Sequence, residues 1–397
     1  MAKHAGSCYN RDLNDSTLIP AYDCQDDQFA SAFTIIREAI KERAFPAASL
    51  AVTLADKLVA LKSFGSFVYV GDTKALNPEV QPTTIFDLAS LTKPLATTTM
   101  AMILYERGML ELDAPVAGSV PEILQASDTD PRRREITFRM LLAHSSGLPA
   151  YEKLFLKTHS RGDLLKAAFT MPLAGDPGSR AEYSDIGFII LGIALERIAG
   201  EPLDVFCQRE IFGPLAMTRT TFNPPKEIRS QIPPTADETP APQASAETKP
   251  ARSTFRNRII QGEVQDENAS VLGGIAGHAG LFSDAEDLAL FAHGMLRGGS
   301  PILRSETISV FTRRESTPTG TSRALGWDTP SSPSQSGKYF GPKSYGHLGY
   351  TGTSLWIDPD RELSVTLLTN RTWPDCSNHA IKQMRPKIHD AIRAALR

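Results

Sequence analysis

An α+β fold, made of one antiparallel sheet and a helical lobe, is the architecture that this 397-residue sequence predicts. Short apolar runs of strand length lie near both ends of the chain, whereas most periodic segments between about residues 90 and 300 follow the helical repeat. The chain is also too long for one ordinary core, which favours two lobes. Segments far apart in the sequence are therefore expected to meet in one sheet.

The N-terminal part of the sheet is predicted to be a helix followed by a hairpin. Four apolar residues recur at helical spacing over about residues 27–43, namely Phe29, Phe33, Ile36 and Ile40. The runs 48–55 and 58–65 each have strand length. Between them, Asp56-Lys57 is expected to form a tight turn.

The C-terminal part is predicted to add two strands and a helix. Residues 352–357 and 363–368 are strand-like, and the turn 358–360 joins them. Residues 378–396 are helical in composition. Pro386 is expected to start or kink that helix, because proline lacks the amide N–H.

Three helices are predicted in the middle of the chain, each with a residue suited to its start or end. They cover 95–107, ended by Gly108; 137–144, capped by Thr137; and 186–199, capped by Asp185 and ended by Gly200.

The predicted organisation is therefore discontinuous. Residues 1–27 form an N-terminal extension, 28–86 with 281–397 form an α/β lobe, and 87–280 form a mainly helical lobe. Residues 223–257 contain seven prolines and few large apolar side chains. This segment is expected to be a partly disordered surface loop, because it cannot bury a core of its own.

Composition excludes several classes of function. The formal net charge is −3, so no basic excess exists to hold nucleic acid. No run of about 18 apolar residues is present, so no membrane span is expected. The N-terminal residues lack the apolar core of a signal peptide, which predicts a cytoplasmic protein, or a periplasmic one if the true start lies upstream.

The four cysteines indicate no metal site or cofactor. Cys8, Cys24, Cys207 and Cys376 form no C-x-x-C pair and have no histidine at zinc-ligand spacing. They are expected to be reduced thiols without a catalytic role, although Cys8 and Cys24 could pair in an oxidising compartment.

The candidate nucleophile is Ser90, with Lys93 three residues later on the same helical face. A serine hydroxyl needs a neighbouring base, and a lysine can act as one if burial and other cations lower its pKa. Pro94 requires the helix to begin close to Ser90, where free N–H groups can stabilise an oxyanion. S-x-x-K alone is a weak signal. The alternative is a capping serine with an exposed lysine.

Two further segments carry candidate residues. Tyr183 precedes a predicted helix, so its phenol can relay a proton, as phenolate if cations depress its pKa. Gly349 lies in a glycine-rich strand entry that something must approach closely. There His347 can donate to a substrate carboxylate or to the catalytic cluster, and the Tyr350 N–H is a second candidate oxyanion donor. The alternatives are a packed tyrosine and a surface histidine.

In order and spacing these motifs resemble those of the penicillin-binding-protein and β-lactamase family of serine enzymes. The family signature is Ser-x-x-Lys, then Tyr-x-Asn or Ser-x-Asn, then Lys-Thr-Gly or His-Thr-Gly. Four longer segments are also similar to those of the family, LLAHSSGLP (141–149), GEVQDENASVLGGIAGHAGLFS (262–283), GHLGYTGTSLWIDP (346–359) and LLTNR (367–371). The resemblance covers about residues 28–395.

The resemblance implies a serine hydrolase with its active site between two lobes. Ser90 would form an acyl-enzyme, Lys93 and Tyr183 would move the proton, and the amides of Ser90 and Tyr350 would bind the oxyanion. The substrate would be a small molecule or short peptide with an acyl group, and no metal or other cofactor is implied. The sequence does not indicate the oligomeric state.

Three positions depart from the family pattern. Asp185 replaces the usual Asn, His347 the lysine of most β-lactamases, and Leu348 a threonine. A carboxylate beside Lys93 favours charged lysine and repels an anionic substrate. Weak or absent β-lactamase activity is therefore expected, with an ester, an amide or a D-amino-acid peptide as substrate.

Several alternatives stay open. The chain can be a D,D-carboxypeptidase or penicillin-binding protein, or a non-catalytic binding module on the same fold. A metallohydrolase is disfavoured because no histidine cluster has ligand spacing. His144 is adjacent to Ser145 but is not expected to pair with it, and His278 is expected to serve packing more than catalysis.

Overall fold

The structure is a computed structural model that describes residues 17–71, 77–125, 130–240 and 255–396. Cys8, and with it the Cys8–Cys24 pairing, lies outside the described residues. The strands are β1 (Ile19–Pro20), β2 (Ala47–Leu54), β3 (Lys57–Gly65), β4 (Phe86–Asp87), β5 (Thr221–Phe222), β6 (Ala236–Asp237), β7 (Ile259–Ile260), β8 (Leu281–Ser283), β9 (Tyr345–Leu348), β10 (Ser354–Asp358) and β11 (Leu363–Thr369). The α-helices are α1 (Gln25–Gln28), α2 (Ala30–Lys41), α3 (Thr99–Glu106), α4 (Phe138–Leu142), α5 (Arg161–Phe169), α6 (Asp185–Ala199), α7 (Leu203–Cys207), α8 (Glu267–Val271), α9 (Ala285–Leu296), α10 (Ser305–Thr312) and α11 (Ile381–Ala395).

The main sheet joins both ends of the described chain, as predicted. Its strand order is β1-β3-β2-β11-β10-β9, antiparallel except for β1, which pairs in parallel with β3. The central pair is β2 with β11, in which Leu50 lies opposite Leu367. Both strands are buried along nearly their whole length, because helices cover both faces of the sheet. The α+β fold class is confirmed.

The first hairpin turn is displaced by one residue from its predicted position. The turn is Ala55-Asp56, not Asp56-Lys57, and Lys57 already pairs with Leu54 in the sheet. Ala55 adopts φ of 51°. Tight hairpin turns need positive φ, which is strained for alanine. The pairing register of β2 with β3 offsets this strain because it buries Leu58.

Two apolar clusters lie on the two faces of the sheet. On one face, Phe33 of α2 and Ile388 of α11 pack with Trp356 of β10 in a cluster that holds the terminal helices in place. On the other face, a larger cluster runs without a break from Leu61 of β3 into the helical middle of the chain. Full burial of each such side chain contributes about 1.5–3 kcal/mol. The predicted division into lobes at residues 86/87 and 280/281 stays a prediction.

Pro386 lies inside α11 and does not start it. A proline inside a helix leaves the carbonyl four residues earlier without its amide donor. Here that carbonyl belongs to Lys382, and it accepts a hydrogen bond of 3.1 Å from the Gln335 side-chain amide. The helix therefore continues through the proline because a neighbouring loop supplies the missing donor.

Helix α6 begins with a cap that differs from the predicted one. Ser184, not Asp185, is the N-cap, and its hydroxyl accepts from the Gly187 amide at 3.0 Å. The predicted Gly200 end is observed, with φ of 73°. Earlier in the chain, Thr137 caps the short helix α4, as predicted. Because Ser184 takes the capping role, the Asp185 carboxylate is available for another partner.

The proline-rich segment is not simply a surface loop. Residues 232–235 are buried, and β6 within the segment pairs with β7. The buried Asn370 amide donates to the Pro234 carbonyl at 2.9 Å. Residues 241–254 lie outside the described part of the chain. Pro234 thus belongs to the folded body, because its carbonyl accepts a hydrogen bond from the residue that follows β11.

Candidate active site

The candidate nucleophile follows the short strand β4, whose residue Phe86 pairs with Ser283 of β8. Ala89–Leu91 form a 3₁₀ turn, Lys93–Thr98 a π-helical turn, and α3 continues from there. Ala89 has φ of 47°, and its amide N–H donates a hydrogen bond of 2.8 Å to the Asp87 carboxylate. Strained backbone of this kind is held only where the surroundings impose it. The turn therefore fixes the direction in which Ser90 points.

The structure brings Ser90, Lys93 and Tyr183 together. Lys93 Nζ lies 2.9 Å from Ser90 Oγ, and the Tyr183 hydroxyl lies 2.7 Å from the same oxygen. Both distances are those of hydrogen bonds. One helical turn places the amine, as the sequence spacing predicts, and the loop before α6 places the phenol.

Lys93 is completely buried and paired with a carboxylate. Its Nζ donates to Asp185 Oδ1 at 2.7 Å and to the His278 carbonyl at 3.1 Å. Burial alone would lower the pKa of Lys93, but the Asp185 carboxylate and the Tyr183 phenol together raise it above its usual value. This direction is opposite to the depressed pKa that a lysine base requires, and it agrees with the expected effect of Asp185.

Tyr183 is a neutral phenol in this environment. Burial raises the pKa of Tyr183, and the nearby Lys93 charge only partly opposes that effect. The His144 ring packs on the Tyr183 ring at 4.6 Å, and its Nδ1 accepts the Ser184 amide at 3.0 Å. His144 therefore positions the Tyr183 loop, which sequence reasoning did not predict.

His347 lies at the end of β9, with its ring 6.0 Å from that of Tyr183. Burial, together with the Lys93 charge, holds the pKa of His347 well below its usual range, so the ring is neutral. Its Nδ1 lies 2.8 Å from the Leu348 carbonyl, which can only accept, and Nε2 has no partner among the described residues. Nε2 is then an acceptor, so the neutral ring cannot donate to a substrate carboxylate as expected.

Gly349 brings the end of β9 against the nucleophile turn. A Cβ at this position would lie 2.4 Å from the Leu88 carbonyl oxygen and 1.9 Å from Thr353 Oγ1. Only glycine permits this approach, which bears out the expectation drawn from the glycine-rich strand entry. Neither the Ser90 nor the Tyr350 amide donates to another group in the described ranges. Both amides are therefore available as donors.

His278 is more than a packing residue. Its carbonyl accepts from Lys93, and its Nε2 lies 2.9 Å from Asp266 Oδ1. The glycine before it does serve packing, as expected, because a Cβ at Gly277 would lie 2.2 Å from the Phe188 carbonyl oxygen. The short segment around His278 therefore holds helix α6 and Lys93 at the same time.

A cavity of about 880 Å³ is lined by Ser90, Tyr183, Asp185, His278, His347, Gly349 and Tyr350. Other lining residues, which sequence reasoning missed, are Tyr151, Phe155, Glu238, Phe255, Asp266, Arg323, Arg371 and Arg385. They come from seven separate segments. Asp266 and Arg371 lie in the family-like segments 262–283 and 367–371, but nothing in the sequence distinguishes these eight residues as cavity residues. Within the described ranges, no group of three or more histidine, cysteine or acidic side chains is arranged to hold a metal ion. The helices of those ranges include none long and apolar enough to span a bilayer.

Comparisons with known proteins find similarity over most of the chain. The profile of the beta-lactamase family matches residues 33–383. A putative D-alanyl-D-alanine carboxypeptidase of Escherichia coli K12 is 30% identical over 354 residues, 82% of this chain and 79% of the relative. An N-acetylmuramyl-L-alanine amidase of Bacillus subtilis 168 is 32% identical over 355 residues, 82% and 77% of the two chains. EstCE1, a hydrolase with promiscuous acyltransferase activity, superposes with a TM-score of 0.73 at 21% identity, covering 93% of this chain and all of that one.

Proposed function

This chain belongs to the beta-lactamase family, and on that premise we propose that it is a serine amidase that forms its acyl-enzyme on Ser90. The observation that carries the proposal is the pair of hydrogen bonds from Lys93 and Tyr183 to one serine oxygen inside a large cavity. A partly exposed serine oxygen held by an amine and a phenol matches the arrangement of an activated nucleophile.

In the proposed reaction, Ser90 Oγ attacks the substrate carbonyl carbon. The serine proton passes to a Lys93–Tyr183 pair that has first lost one proton, and the amides of Ser90 and Tyr350 bind the oxyanion. The C–N bond then breaks and the pair returns the proton to the leaving amine. Water hydrolyses the ester on Ser90, which releases a carboxylic acid and restores the serine.

Support for the substrate class comes from two relatives, one named a putative D-alanyl-D-alanine carboxypeptidase and the other an N-acetylmuramyl-L-alanine amidase. Both names denote hydrolysis of an amide bond. A D,D-carboxypeptidase must bind a free carboxylate next to the scissile bond. Around Ser90 the features that oppose such binding are the Asp185 carboxylate and the neutral His347 ring. Cleavage between a muramyl acyl group and L-alanine places no carboxylate next to that bond. The amidase reaction is therefore the one that we propose.

The test compares four substrates on the wild type and on Ser90→Ala, namely an N-acetylmuramoyl peptide, a D-Ala-D-Ala peptide, a short p-nitrophenyl ester and nitrocefin. We expect hydrolysis of the muramoyl amide and of the ester, and loss of both in Ser90→Ala. A matched control is Ser309→Ala, which removes an exposed hydroxyl on α10. Faster cleavage of the D-Ala-D-Ala peptide would favour the carboxypeptidase reaction.

A fluorescent phosphonate separates an enzyme from a binding module on the same fold. Labelling that disappears in Ser90→Ala and persists in Ser309→Ala supports the enzyme. Absence of labelling in the wild type, with no turnover of any of the four substrates, would support the binding module.

A further inference from the structure

Two arginine side chains form an unusual pair at one end of the cavity. Arg371 follows β11 and Arg385 lies in α11, and both line the cavity. Their residues are 6% and 3% exposed, respectively. Neither forms an ion pair with a carboxylate in the part of the chain that the structure describes. Two cations are thus buried side by side without a protein anion.

Neutral groups satisfy these guanidinium groups only in part. Arg371 donates to the carbonyls of Tyr350, Cys376 and Asn378, at 2.6, 3.3 and 3.2 Å, and lies 4.4 Å from the Tyr350 ring centroid. Arg385 donates to the Gly352 carbonyl and to Gln335 Oε1, both at 2.9 Å. Arg385 Nε is buried and has no partner among the described groups. Burial of an unpaired charge is costly, so such a site is expected to receive an anion.

The position of Arg385 in its helix adds a second cost. Arg385 and Lys382 lie in the first turns of α11, and no acidic residue lies in the first turn. The start of a helix carries a partial positive charge, which disfavours cations there and favours anions. Burial and the neighbouring Arg371 charge also lower the pKa of Arg385 to about 9. Asp375 lines the same end, but its carboxylate accepts the Ser377 amide at 2.9 Å.

We propose that Arg371 and Arg385, assisted by Lys382, bind a carboxylate of the substrate's peptide portion. Arg371 donates to the carbonyl of Tyr350, the proposed oxyanion donor, and Arg385 donates to the carbonyl of Gly352, so the pair adjoins the segment that carries that donor. The site thus selects an amide whose leaving peptide carries an acidic residue. This inference rests on the proposed function, because it names the substrate class of the same cavity.

The test measures kcat/KM for N-acetylmuramoyl-L-alanyl-D-glutamate and for its diamide, in which carboxamides replace both carboxylates. We expect the wild type to prefer the carboxylate form by about 10- to 100-fold, the range for hydrogen bonds between charged groups. In Arg385→Gln and in Lys382→Gln the ratio of the two kcat/KM values should fall toward one. Arg304→Gln, which removes an exposed cation outside the cavity, should keep the wild-type ratio.

Direct binding to Ser90→Ala gives an independent measurement. Calorimetry should show L-alanyl-D-glutamate binding more tightly than its diamide, and inorganic phosphate should compete weakly. If phosphate binds as tightly as the dipeptide, the site is a general anion site and not a peptide site. Equal affinity for dipeptide and diamide in Ser90→Ala, with no preference in wild-type turnover, overturns the proposal, even if Arg385→Gln fails to fold.

The two proposals can fail separately. Turnover of the diamide with no preference for the carboxylate form would leave the amidase intact and remove the anion site. Carboxylate-dependent binding without any Ser90-dependent turnover would leave the anion site and remove the amidase.

Discussion

Lys93 and Asp185 form an ion pair of 2.7 Å at the base of the cavity, with the lysine side chain fully buried. The raised pKa of Lys93 means that the resting amine is charged, and the raised pKa of Tyr183 means that the phenol is protonated. Neither group can accept the Ser90 proton in that state. The cluster must first lose one proton, and the Asp185 carboxylate makes that loss harder.

The first prediction concerns the pH dependence of ester hydrolysis. A raised Lys93 pKa means that the active form becomes populated only as pH rises, so kcat/KM should increase through the alkaline range. Asp185→Asn removes the main group that raises this pKa, and burial then lowers it. The rising limb should move to lower pH, with a faster rate at neutral pH.

The control for that profile is Asp266→Asn. Asp266 also lines the cavity, but it pairs with His278 and does not contact Lys93 Nζ. Its charge also acts on Lys93, but without a hydrogen bond to the amine, so its profile should shift less than that of Asp185→Asn. An unchanged midpoint in Asp185→Asn would show that the Lys93–Asp185 pair does not control the proton that leaves.

The second prediction is the loss of hydrolysis when either proton-transfer group is removed. Lys93→Ala and Tyr183→Phe should each reduce kcat by about 10²- to 10⁴-fold, as is usual for acid–base groups. The combined variant should lose little more than either one, because the two groups act on the same Ser90 oxygen. Steady-state ester kinetics measure this, and full activity of both single variants would refute the mechanism.

The third prediction is poor turnover of β-lactams. The neutral His347 ring and the apolar Leu348 give little binding to the carboxylate of a penicillin. Nitrocefin hydrolysis should be far below a kcat on the order of 10 per second. The double variant His347→Lys with Leu348→Thr should acylate faster, as followed by mass spectrometry. Rapid turnover by the wild type would contradict this.

The fourth prediction concerns Gly349. A methyl group there would overlap the Leu88 carbonyl and the Thr353 hydroxyl, which forces β9 away from the nucleophile turn. Gly349→Ala should therefore lower kcat for the ester by at least about tenfold, because displacement of an oxyanion donor costs at least that much. Gly118→Ala is a suitable control, since a Cβ at Gly118 meets nothing within 4 Å.

The fifth prediction concerns the buried ion pair between Glu238 and Arg256. Arg256 Nη2 donates to Glu238 Oε1 at 2.7 Å. The Arg256 side chain is 5% exposed and the Glu238 side chain is 1% exposed. Glu238→Gln should reduce the free energy of unfolding by about 3–5 kcal/mol, because it leaves Arg256 buried and unpaired. Urea denaturation measures the change. The exposed pair Lys157–Glu152 provides the control, where Lys157→Gln should cost less than about 1 kcal/mol.

The sequence pattern predicts the strands and the nucleophile because these depend on local rules. Apolar composition and length place β2 and β11, and the three-residue spacing from Ser90 to Lys93 places the amine beside the alcohol. The prediction that Asp185 caps α6 is wrong, because Ser184 is the cap. Serine and aspartate cap helices equally well, so local preference cannot decide which one does when the other has a distant partner such as Lys93.

The remaining features depend on contacts between distant segments. The sequence predicts that Pro386 starts or kinks a helix, because nothing near it in the sequence reveals that Gln335 supplies a donor to Lys382. The proline-rich segment reads as a loop because its buried carbonyl at Pro234 is satisfied by Asn370, 136 residues away. Tertiary partners of this kind carry no periodic signal, so local propensity misassigns them.

The pairing of β2 with β11 has a consequence for biosynthesis. The Ala47 amide donates to Asn370 Oδ1, 323 residues later in the chain. The centre of the sheet therefore cannot form while the ribosome is still making the middle of the chain. Contacts between such distant segments slow folding, because a long loop must close first. A nascent chain released before residue 370 would have Ser90 and Lys93 but no sheet to support them, and we expect it to be a client of chaperones.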